Sequence, residues 1–138
     1  GGDMTSSAAV ISAPQAFWQA GVTPAEMDIA MIYDSFSITV ITLLEDLGFC
    51  PKGEGGRYVE GGKLRFDAPG GPALNTDGGG LSSNHPGMRD IFLLIEAARQ
   101  LRGESNSQVD GAGLAVAHGN GGMLGSRHSA GTVILAAD

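Results

Sequence analysis

The chain has 138 residues, 42% hydrophobic but only 6% aromatic, with 23 glycines, one cysteine and a formal net charge of −7, a length that fits one domain or part of a larger one. The acidic balance argues against a nucleic-acid binder, which needs a basic face to displace counterions, and against docking on an acidic membrane surface. One cysteine allows no internal disulfide, which fits a reducing cytoplasm, and no apolar run approaches the ~20 residues needed to span a bilayer.

No stretch reads as a signal peptide, and residues 1–5 read as a tag remnant or fragment edge, leaving 6–138 as the domain. Between Ser6 and Ala20, Val10, Ala13, Phe17 and Ala20 fall near helical spacing, and Gly21 suits the stop. Pro14 belongs in a first turn, so the regular helix is expected to begin near Ser12. Thr23-Pro24-Ala25-Glu26 has the pattern of a capped single turn. Asp28 to Tyr33 is too continuously apolar to alternate, as in a parallel strand covered on both faces. Asp34 and Ser35 then offer caps to a second helix, with Ile38, Ile41, Leu44 and Val40, Leu43, Leu47 on its apolar side and Gly48 as its end.

Arg57-Tyr58-Val59-Glu60, Gly61-Gly62 and Lys63-Leu64-Arg65-Phe66 predict a β-hairpin excursion around a two-residue glycine turn. Leu74 to Thr76 returns to the sheet. A third helix is expected over Pro86–Arg102, with Met88, Ile91, Phe92, Ile95, Ala98 and Leu101 inward. Leu114 to His118 is a strand, Gly119-Asn120-Gly121-Gly122 a turn, and Thr132 to Ala137 the last strand. The order predicts an α/β fold: a layered mixed sheet flanked by helices, with the hairpin outside it.

The centre of the chain is Asn75-Thr76-Asp77-Gly78-Gly79-Gly80 leading to Asn84-His85-Pro86-Gly87. With Pro86 in a first turn, His85 stands at a helix start. The macrodipole there disfavours imidazolium by roughly 0.3–1 kcal/mol and leaves a base able to take a proton. Glycine lets backbone N–H groups approach a ligand without a Cβ in the way. Ligands of such sheets sit at the carboxyl ends of strands. Three polar segments fall there: Tyr33-Asp34-Ser35-Phe36, the 78–85 loop, and 118–122. Cys50 reads as a packed loop residue, and His118, His128 and Asp138 match no metal-ligand spacing. His128 is expected at the surface or at a subunit contact.

These segments, together with Leu47-Gly48-Phe49-Cys50-Pro51-Lys52-Gly53-Glu54-Gly55, resemble in order the C-terminal half of thiolases. The likeness is nearest the sterol-carrier and lipid-transfer-protein type and covers nearly the whole chain. It implies one half of a five-layered αβαβα protein whose nucleophilic cysteine lies in the N-terminal half. It implies Claisen condensation or thiolysis of acyl-CoA thioesters, with coenzyme A as part of the substrate, no separate cofactor and no metal. By the same resemblance His85 activates the nucleophile and holds the thioester oxygen, with Tyr33 and His118 as catalytic partners. Asp34, Gly79, Gly80, Asn84, Gly119 and Gly121 line the substrate. Tyr33 stands where thiolases carry Asn or His, and no cysteine stands at 118–122. Expected partners are acyl-CoA, the N-terminal half and a second copy in a homodimer. Two further functions stay open. One is a retro-aldolase on steroid-like CoA thioesters with an OB-fold partner; the other is a non-catalytic lipid- or partner-binding scaffold.

Overall fold

The computed structural model describes residues 4–68, 70–122 and 129–138. The expectation for His128 lies outside them, as do residues 1–3 of the expected fragment edge. Four strands form one mixed sheet in the order β2-β1-β3-β4. They are β1 (Ile29–Ile32), β2 (Ala73–Leu74), β3 (Leu114–Gly121) and β4 (Ser129–Ala136). β1 runs parallel to β2 and to β3, whereas β3 and β4 pair antiparallel from Leu114↔Ala136 to Gly121↔Ser129.

Helices cover both faces. On one, α1 (Ala9–Ala20) and α2 (Ser37–Asp46) bring Ala13, Phe17, Leu43 and Leu44 onto Ala30, Ile32 and Val116. On the other, α5 (Arg89–Arg102) brings Leu93 and Ala97 onto Ile29, Met31, Ala115 and Ala117. Alternate residues of β1 thus enter different cores, and all four are buried. Fully burying one such aliphatic side chain contributes about 1.5–3 kcal/mol. Two short helices, α3 (Gly55–Val59) and α4 (Gly79–Ser82), lie in the connections. Among the described residues no helix is long and apolar enough to cross a membrane.

Several expectations hold. The Thr23–Glu26 turn is closed by the Glu26 carboxylate, which accepts from the Thr23 N–H at 2.7 Å and its hydroxyl at 2.8 Å. Gly21 and Gly103 end α1 and α5 in the left-handed region. Others need correction. α1 starts at Ala9 rather than near Ser12, with Pro14 inside it. Ser7 accounts for this: its hydroxyl accepts from the Ala9 N–H, and the buried Asp46 carboxylate holds it at 2.8 Å.

The hairpin over 57–66 is not formed. α3 and a 3₁₀ turn over Glu60–Gly62 stand there instead. Adjacent residues of a strand point to opposite faces, yet Tyr58 and Val59 both pack on the α2-side core. A helical turn permits that; a strand does not. Gly55 then meets α2 closely: its N–H donates to Glu45 Oε1 at 2.9 Å, and a Cβ there would come within 2.8 Å of Ile41 Cγ2.

α5 begins at Arg89, so Pro86 is not in its first turn, and Met88, at φ 59°, is its N-cap. Its buried face is Arg89, Leu93, Glu96, Ala97 and Gln100. Most of the expected inward stripe is outward: Met88, Ile91, Phe92 and Ile95 are exposed, whereas Leu101 packs on the α5-side core. Two of the inward polar side chains are hydrogen-bonded. Glu96 accepts from Thr76 at 2.7 Å and Ser105 at 2.6 Å, and Gln100 donates to the Ser107 carbonyl at 2.8 Å. Finally, β3 runs on to Gly121, so Gly119 and Gly121 sit in a strand rather than a turn.

Candidate active site

The carboxyl end of β1 delivers Tyr33, and the segment before α5 delivers His85. The Tyr33 hydroxyl lies 3.0 Å from Nδ1 and 2.9 Å from Nε2 of His85. The phenol is thus within hydrogen-bond distance of both ring nitrogens, and either tautomer offers it a partner. The ring centroids are 5.5 Å apart at 33°. Tyr33 is half-buried while His85 is exposed, so the pair opens to solvent. Burial, then the charges of Asp90 and Asp34, push the Tyr33 phenol up against the opposing Arg89. It stays a proton donor at neutral pH, hydrogen-bonded to a ring that can accept. His85 does not sit on a helix N-terminus, because α5 starts four residues later. Tyr33, not the helix dipole, orients it.

The glycine turn is built differently from expectation. Asp34 does not cap α2, whose N-cap residue is Phe36. Its buried carboxylate accepts from the Gly80 N–H at 2.8 Å and the Leu81 N–H at 3.0 Å. Asp77 takes the Gly79 N–H at 2.9 Å and pairs with the buried Arg89 at 2.7 Å. The amides of Gly79 and Gly80 are thus engaged by aspartates rather than left open to a ligand. Gly78 and Gly79 have φ of 91° and 73°, and a Cβ at Gly79 would overlap Asp34 Oδ2. Glycine is needed there for the close approach of Asp34.

Asn75 is a positioning residue that spacing alone did not reveal. Its side chain accepts from the Ile32 N–H at 2.8 Å and donates to the Ile32 carbonyl at 3.0 Å. It thereby imitates a further residue of β2 and fixes the chain just before Tyr33.

His118 goes elsewhere. It pairs in parallel register with Ile32, so both side chains point to the α1–α2 face, opposite Tyr33. It is fully buried, its Nδ1 is 2.8 Å from Thr132 Oγ1, and that hydroxyl in turn bonds Ser12. A ring locked between α1 and β4 does not reach the Tyr33–His85 pair. Gly119, one residue on, does face that side, and the carboxylate of Asp90 lies against it. Gly121 lies on the same face further along β3, and Asn84 is exposed beside His85.

A groove of about 1020 Å³ opens beside β2, walled by Val40, Ile41, Leu64, Phe66 and Leu74. It shares the 76–78 turn with the site, but Tyr33, His85 and Asp90 do not line it. Cys50 follows the ten-residue α2, roughly 15 Å along that helix from the site end. Burial and the Glu45 charge push its thiol up, the reverse of a nucleophile's need.

Residues 1–137 match the family model described as thiolase C-terminal domain-like. An acetyl-CoA acetyltransferase of Methanothermobacter thermautotrophicus is 42% identical over 121 residues, covering 86% of this chain and 31% of that protein. Sterol carrier protein 2 of Bos taurus is 34% identical over 112 residues, covering 80% of this chain and 20% of the relative. A solved structure titled Ltp2-ChsH2(DUF35) aldolase superposes with TM-score 0.82 at 27% identity, over 99% of this chain and 34% of its own. The chain thus spans about a third or less of each of these proteins. By its sequence motifs, its mixed four-stranded sheet and the match over nearly its whole length, the chain belongs to the thiolase C-terminal domain-like family.

Proposed function

We propose that this chain is the C-terminal half of an acyl-CoA C-acyltransferase of the acetyl-CoA acetyltransferase type. The observation that carries the reading is the Tyr33–His85 hydrogen bond at the carboxyl end of β1. A phenol and an imidazole in contact form a proton relay, and general acid–base catalysis of this kind contributes about 10²–10⁴-fold. His85 takes the proton of a cysteine thiol supplied by the rest of the protein. Tyr33 keeps the ring oriented and donates to the thioester oxygen as charge builds there. The N-terminal half also covers the apolar stripe of Met88, Ile91, Phe92 and Ile95, which this domain leaves exposed.

A second reading is favoured by Tyr33 itself. A phenol that hands its own proton to His85 can take a β-hydroxyl proton in the same relay, and one solved relative is titled an aldolase. On that reading the protein cleaves a β-hydroxyacyl-CoA by retro-aldol chemistry with a small partner protein.

Assay of the full-length protein separates them. Thiolysis of acetoacetyl-CoA by free CoA is expected, with no cleavage of a β-hydroxyacyl-CoA. Cleavage of only the latter refutes the transferase reading. His85→Ala should lower turnover by about 10²–10⁴-fold; unchanged turnover removes His85 from the chemistry.

A further inference from the structure

The expected second acid–base group, His118, is locked on the far face of the sheet, so the carboxylates around the site need sorting. Most are committed. Asp34 holds the Gly80 and Leu81 amides, Asp77 holds Arg89 and the Gly79 amide, and Glu96 is bound by Thr76 and Ser105. Asp90 differs. Among the described residues it makes no hydrogen bond or ion pair, and it is open to solvent. It stands in the first turn of α5. A Cβ built on Gly119 would lie 2.6 Å from its Oδ2 and 2.7 Å from its Oδ1. Its carboxylate therefore fills the space a side chain at 119 would take. Gly119, Tyr33 and Asp90 share one face of the sheet, and the Asp90 charge is near enough to raise the phenol of Tyr33.

We propose that the Asp90 carboxylate is the second acid–base group of this site, taking the proton from the carbon next to a thioester carbonyl. This rests on the acyltransferase reading above. The carboxylate accepts the α-hydrogen as a proton, and the C–H electron pair passes into an enolate whose oxygen receives a hydrogen bond from the Tyr33–His85 side. The enolate carbon attacks the carbonyl of an acyl group held as a cysteine thioester by the rest of the protein. A C–C bond forms, the C–S bond breaks, and the proton on Asp90 passes to the leaving thiolate. Desolvation on the side that packs against Gly119, opposed by Arg89, pushes the Asp90 acid up. That makes it a stronger base than free aspartate, nearer the working pH. A glycine at 119 is required, because any larger residue would displace the carboxylate.

The test uses the full-length protein in deuterium oxide with acetyl-CoA. One reading is deuterium entry into the acetyl methyl group, followed by mass spectrometry. The other is exchange of the acetyl group onto labelled CoA, which breaks no C–H bond. Asp90→Asn should slow methyl deuteration by about 10²–10⁴-fold while acetyl exchange onto CoA keeps the wild-type rate. Gly119→Ala, which keeps the acid but pushes it aside, should slow deuteration selectively as well. Asp90→Glu should restore part of the rate. Deuteration at the wild-type rate in Asp90→Asn overturns the assignment alone, as does an equal loss of both reactions, which marks a structural role. A wild-type protein that performs neither reaction overturns the acyltransferase reading and the assignment with it.

Discussion

Replacing Asp34 with Asn distinguishes two roles for one carboxylate. As a helix cap for α2, Asp and Asn are nearly equivalent, and the change would be close to silent. In the structure each carboxylate oxygen has its own amide: Oδ1 takes Gly80 at 2.8 Å and Oδ2 takes Leu81 at 3.0 Å, with the residue only 5% exposed. Asn keeps one acceptor and turns an NH₂ toward the other amide. One charge-assisted bond of about 1.5–3 kcal/mol is lost, and an unsatisfied buried donor adds about 1–3 kcal/mol. The expected penalty is about 3–5 kcal/mol, or on the order of 10²–10⁴-fold in the opening equilibrium of the turn at 1.4 kcal/mol per tenfold. Amide hydrogen exchange by mass spectrometry on a peptide spanning 78–83 reads this directly. Protection at Gly80 and Leu81 should collapse while the α2 amides change little. Unaltered protection in 78–83, or loss confined to 37–40, would refute the reasoning and restore the capping role.

Tyr33→Phe removes the hydroxyl that orients His85 and should cut thiolysis by the full-length protein about 10²-fold or more, with circular dichroism unchanged. Leu93→Ala empties a fully buried site and should cost about 2–5 kcal/mol in urea denaturation of the chain. Phe92→Ala, at a residue 47% exposed, should cost far less in the same chain; the reverse order would mean that α5 is turned the other way. Because the Asp90 acid is raised by desolvation where it packs on Gly119, its charged form weighs against the fold. That cost is absent below the unfolded pKa, where the acid is protonated in both states, and grows as pH rises through the folded pKa. Asp90→Asn should therefore melt at or above the wild-type temperature at pH 7, and the gap should close as pH falls; a lower melting temperature at pH 7 contradicts this.

Much of the fold follows from local chemistry. The buried run ending at Ile32, the glycine stops at 21 and 103, and the Thr23–Glu26 box rest on backbone geometry and nearest neighbours, which travel with the sequence. Tyr33 and His85 were also legible, because a polar residue after a buried strand and a His-Pro after a glycine run fall at the same end of the sheet. What local chemistry could not give was orientation. α5 carries a run of large apolar residues, yet its inward face is mixed: Leu93 and Ala97 meet the sheet, and Arg89, Glu96 and Gln100 turn inward beside them because Asp77, Thr76, Ser105 and Ser107 receive them there. Residues 57–66 carry strand-like composition, but both Tyr58 and Val59 find the same core, which only a helical turn allows. His118 and Gly119 are neighbours in sequence and lie on opposite faces of β3, so one is sealed against Thr132 while the other leaves room for Asp90. The sequence by itself determined which elements form and where polar groups gather. Tertiary packing alone decided which face of each element turns inward, because that depends on partners dozens of residues away rather than on spacing along the chain.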